Sequence, residues 1–112
     1  MNSLIKNLTL TQFSLLSQKE KRYYAVARAD KYYGISDAQF SLLSPKEKRD
    51  YVVVRANKGY ILSDEKFSLL SPKAKEEYYY IIKMRRLFSN NKTALEKFQV
   101  LMREKYKLKK LL

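Results

Sequence analysis

The sequence predicts an all-α fold of three tandem 27-residue two-helix repeats, each a short helix followed by a long one, with a C-terminal capping helix. Three observations predict it. The letters FSLLS begin at Phe13, at Phe40 and at Phe67, a constant interval of 27 residues. Ser or Thr stands at matched helix-start positions in every unit. Hydrophobic residues make up 46% of the 112-residue chain, enough for one domain with a real core.

Aligned on phenylalanine, the first two units agree at 17 of 27 positions and the last two at nine. A period of this size marks stacked supersecondary units. The reading divides a single domain, 1–112, into units 9–35, 36–62 and 63–89, with the capping helix at 93–110. No unit carries the signature of a standard helical repeat, and no family is assigned.

The first helix of each unit starts at Thr9, Ser36 or Ser63, and Gln12 and Gln39 complete a capping box in two of them. Leu8, Ile35 and Leu62 precede the caps and pair with the phenylalanines in the spacing of a hydrophobic staple. Phe13, Phe40, Phe67 and the leucines beside them are expected in the core. In the second unit the short helix is expected over about 37–43.

The second start is Ser17, Ser44 or Ser71. Pro45 and Pro72 occupy the first helical position, where a missing N–H does no harm, and Glu20 and Glu47 close a box. The long helix is expected to reach about Tyr33, Lys58 and Phe88 in turn, with Gly34 and Gly59 near left-handed C-terminal caps. The valine run at 51–54 has strand propensity, yet its caps and the matching YAVA and YYII segments make it helical. After the polar SNNK, Thr93 and Glu96 suit a further capping box. The last helix, about 94–110, then places Leu95, Phe98, Leu101, Met102 and Leu108 on or near one side, and is expected to cover the last unit's open face.

Cysteine and histidine are both absent, which removes disulfides, thiolate nucleophiles, the usual zinc ligands and the commonest general base. There is no Gly-rich phosphate loop and no carboxylate constellation, so no enzyme activity, cofactor or metal is expected. Glu20, Glu47, Asp37 and Asp64 read as first-turn acids that suit a helix N-terminus. The opening MNSLIKNLTL does not resemble a signal peptide, and no apolar run approaches the ~18–20 residues of a membrane span. A cytoplasmic protein is expected. Abundant Tyr, Lys, Asn, Ile and Leu point to an AT-rich genome, such as many phages, mobile elements or parasites have.

Lys and Arg number 24 against 11 acids, a net charge of +13. Such an excess costs self-repulsion and suits a polyanionic or acidic partner. On the second long helix Lys48, Tyr51, Arg55 and Lys58 share one stripe opposite Val52, Val53 and Ala56. The first unit repeats the stripe as Lys21, Tyr24, Arg28 and Lys31, and the third retains Lys75, Tyr78 and Arg85. As a binding surface it suits nucleic acid, with Lys and Arg on phosphates and Tyr bonding a phosphate or stacking on a base. The tyrosines read more simply as core between stacked helices. Arg28 and Arg55 favour binding, since a merely solvated position has no reason to keep Arg in two units and lose it in the third. The alternative partner is an acidic surface of a nucleic-acid-processing protein complex, bound as an inhibitor or adaptor. A membrane surface contacted through Lys105, Lys107, Lys109 and Lys110 is the least favoured reading.

Overall fold

The computed structural model describes residues 7–31 and 34–105, and among them are seven helices and no strand. Short helices α1 (Leu10–Ser14), α3 (Asp37–Ser41) and α5 (Asp64–Ser68) alternate with long helices α2 (Gln18–Lys31), α4 (Pro45–Asn57) and α6 (Pro72–Phe88). Helix α7 (Lys92–Lys105) closes the described chain, and the remainder of the expected terminal helix, with Leu108, lies outside it.

The starts follow from their cap residues. Thr9 and Ser36 each accept the N–H of the glutamine three residues on at 3.1 Å, and the glutamine side chains accept the cap amides in return. Ser17 with Glu20 and Ser44 with Glu47 make the same reciprocal pair. Ser63 and Ser71 cap one-sidedly, with Lys66 and Ala74 at the third position. Helix α4, valine run included, ends in a Schellman turn: the Tyr60 N–H reaches Arg55 O at 3.0 Å and the Gly59 N–H reaches Ala56 O at 2.9 Å. Gly59 takes φ +88° there, a conformation that side chains disfavour.

One start differs from expectation. Asn91, not Thr93, caps α7, its side chain accepting the Ala94 N–H at 3.0 Å. Asparagine caps as well as threonine, and the chain turns helical two residues sooner.

The short helices pack in the order α1, α3, α5 and the long ones in the order α2, α4, α6. Neighbouring pairs are stitched by polar bonds at similar spacing. Arg22 Nε meets Asp50 at 3.1 Å and Arg49 Nε meets Glu77 at 3.1 Å. Gln39 Nε2 donates to Leu8 O at 2.9 Å, and Lys66 Nζ to Asp37 at 2.7 Å. Burial works against the Arg49 charge, but its bonds to Glu77 and Asp50 outweigh that and hold its pKa above the ordinary value.

Helix α7 does not lie where a cover for the last pair's outer face belongs. It packs on α6 and α4 together, through buried Phe98 and Met102, and Arg103 reaches Asp30 near the end of α2 at 3.2 Å. Leu101, expected on its apolar side, is exposed. Among the described residues no helix covers the outer face of α5 and α6, and the side chains there do not suit close packing. Ala25 and Ala29 on α2, and Val52 and Ala56 on α4, are small and buried. Their equivalents on α6 are Tyr79, 61% exposed, and Lys83, also exposed. Close helix packing needs small residues at the seam, and two large ones end it.

Candidate partner-binding surface

Each predicted stripe turns inward over most of its length. Tyr24 and Tyr51 are 2% and 1% exposed, and Tyr78 is buried likewise. Their hydroxyls accept the N–H of Leu8 at 2.8 Å, Ile35 at 3.1 Å and Leu62 at 3.0 Å, always 16 residues earlier and just ahead of the short helix. Their rings meet Phe13, Phe40 and Phe67 at 5.6, 5.3 and 5.9 Å. These tyrosines anchor each short helix to its long helix and present no surface, as the core reading expects. Burial pushes the Tyr51 phenol pKa above its ordinary value.

The stripe's cations are engaged too. Lys21 Nζ donates to Leu16 O at 2.9 Å and Lys48 Nζ to Leu43 O at 2.6 Å, tying the corner after each short helix. Lys75 Nζ lies over the Phe67 ring at 5.1 Å. Arg28, buried, donates from Nε to Gly34 O at 2.8 Å. Arg55 is half-buried and stacks 4.1 Å from the Tyr60 ring. Arg85 donates to Asn57 O at 3.2 Å and fills the space a Cβ on Gly59 would need. The last positions of the first two stripes are the fully exposed ones: Lys31, and Lys58 beside Asp30 at 3.5 Å, while Lys21, Lys48, Arg55, Lys75 and Arg85 are half-buried.

The physical reason lies in α4. Asp50 to Val54, Ala56 and Asn57 are all buried, because α2, α6 and α7 pack around the helix. A helix so enclosed keeps no continuous polar side along its middle turns. The two-sided pattern was therefore right about Val52, Val53 and Ala56 and wrong about an open opposite face.

The surface holds residues that the sequence reading placed inside. In each SLL the second leucine packs: Leu43 and Leu70 are buried and Leu16 is partly buried. The first leucine does not, since Leu15, Leu42 and Leu69 are 81%, 41% and 42% exposed. Each sits at the C-cap of its short helix, where the chain turns the corner. Four residues on, Lys19, Lys46 and Lys73 at the second positions of α2, α4 and α6 are exposed as well. The signal for them was present: three units share two leucines where a core needs one.

A separate, mostly apolar groove of about 380 Å³ lies among Ile61, Leu62, Phe67, Tyr79 and Ile82, and Asp64, Lys83 and Arg86 also line it. Among the described residues no helix is long and apolar enough to cross a membrane. No family model, no curated protein and no solved structure matches this chain.

Proposed function

We propose that this chain is a non-catalytic basic binding protein, organised as three tandem 27-residue helix pairs with a C-terminal helix braced across them, that docks as an inhibitor or adaptor on an acidic protein surface. The carrying observation is the division of labour among its side chains. Tyr24, Tyr51, Arg28, Lys21 and Lys48 hold the fold, while the exposed surface offers leucines and lysines together. A phosphate backbone has no use for leucine, whereas a protein surface with apolar and acidic groups matches both. An acidic surface of a nucleic-acid-processing complex in the cytoplasm is the setting this reading takes.

Direct nucleic-acid binding is the second reading, favoured by the net charge of +13 and by exposed Lys31 and Lys58 on neighbouring long helices. Salt separates the two. Labelled DNA and RNA, double- and single-stranded, are titrated with the protein by gel shift from low to physiological salt. The docking reading expects weak retardation, with a pull-down from the host giving a protein partner whose affinity depends on a few hot-spot residues. Tight retardation that falls steeply with salt, with a slope lowered by about one in Lys58→Ala, sinks docking and establishes the second reading.

A further inference from the structure

Eight positions carry the same residue in all three units: the phenylalanine, SLLS, two lysines and the tyrosine. Six have internal partners. The phenylalanines and tyrosines meet ring to ring, the second leucines pack, and Ser17, Ser44 and Ser71 cap. Ser14, Ser41 and Ser68 bond the carbonyl three residues back, and Lys21, Lys48 and Lys75 fold over the corner or the phenylalanine. Two positions remain: Leu15, Leu42 and Leu69, exposed in every pair, and Lys19, Lys46 and Lys73, which make no hydrogen bond or ion pair among the described residues. The third unit agrees with the second at only nine positions, yet both of these are among them. Leu15 is 81% exposed, and Leu42 and Leu69 leave 41% and 42% of their surface in water where the second leucines are covered, so the threefold retention of the first leucine points outward.

We propose that the row of corners, Leu15, Leu42 and Leu69 with Lys19, Lys46 and Lys73, receives an acidic amphipathic helix of a protein partner laid across the three helix pairs. The proposal rests on the docking reading above and names its surface and occupant. Successive pairs stack through α1, α3, α5 and through α2, α4, α6, so the corners fall in one row. Packed helices repeat at about 8–10 Å. Residues seven apart on a helix advance by about 10.5 Å, so apolar side chains at i, i+7 and i+14 meet one leucine per pair. Carboxylates flanking that stripe face the three lysines. A bare polyanion leaves the leucines uncovered.

The test uses a fluorescent peptide of three heptads, Leu at i, i+7 and i+14 and Glu at the flanking positions, titrated by anisotropy against the full chain. Its partners are a scrambled peptide of the same composition, a DNA duplex and phosphatidylserine-containing vesicles. Binding of the heptad peptide over the scrambled one, weakened about tenfold or more by Leu15→Ser/Leu42→Ser/Leu69→Ser and again by Lys19→Ala/Lys46→Ala/Lys73→Ala, supports the proposal. The leucines are exposed, so a circular-dichroism melt matching that of the unaltered chain certifies the first variant as folded. Peptide binding that the leucine variant leaves intact overturns the corner row while the acidic-protein reading stands. No peptide binding alongside tight duplex binding overturns both. Vesicle binding through the same leucines, without the peptide, overturns the proposal in favour of a membrane.

Discussion

Helices α4 and α6 begin alike, with Ser-Pro-Lys, and end differently. Along α4 Val52 and Ala56 are buried; at the same positions α6 carries Tyr79 and Lys83, both exposed. Tyr51 and Tyr78 make the same hydroxyl bond, but the amide held by Tyr51 is buried and that held by Tyr78 is half-exposed. What is shared builds one helix pair, and what differs decides whether another can stack on it. Two large, exposed side chains on α6 leave no close-packing seam of the kind that small residues give α4.

The largest expected effect contrasts the two phenylalanines. Phe40 is fully buried and Phe67 only partly, so Phe40→Ala should cost about 4 kcal/mol and Phe67→Ala about half of that in urea unfolding. Equal losses would mean that the last pair is as enclosed as the middle one.

Next, the terminal character can be grafted inward. Ala56→Lys places an ammonium in the α4–α6 seam and should lose about 3 kcal/mol, whereas Lys83→Ala on the open face should stay within about 0.5 kcal/mol. A tolerated Ala56→Lys would refute the account of the close-packed seam.

Removing a hydroxyl tests the anchors. Tyr51→Phe strands the Ile35 N–H away from water and should cost about 2 kcal/mol; Tyr78→Phe should cost about 1 kcal/mol, since water can reach Leu62. The Tyr51 phenol also titrates higher folded than unfolded. Its contribution is therefore complete below about pH 10 and is lost as pH rises through the folded value, which thermal melts in alkaline buffer should register and Tyr51→Phe should remove.

The smallest effect is Asp37→Asn. Bonds from Lys66 and then Ser63 hold the Asp37 carboxyl below its ordinary pKa. The stabilisation is present above the unfolded value and fades as pH falls through the folded one. Asp37 is partly solvated, so the loss should stay under about 1 kcal/mol and shrink further in salt.

Local chemistry in this chain could be read from the letters. Caps at Thr9, Ser36, Ser44, Ser63 and Ser71, the two glycines at positive φ and the helical valine run each depend on residues within a few positions of one another. The stripes were harder. Lys48, Tyr51, Arg55 and Lys58 do share one side of a helix, but periodicity states which residues lie together and not what lies across from them.

By itself the sequence determined the helical class and nearly every helix start, because these rest on contacts three or four residues long. Only the tertiary structure decided that α7 packs on α4 and α6, which amides the core tyrosines Tyr24 and Tyr51 hold, that Arg28 lies inside, and that Leu15, Leu42 and Leu69 face outward. Burial is a property of neighbours brought together from 16 to 73 residues away, and no local pattern encodes which face those neighbours will cover.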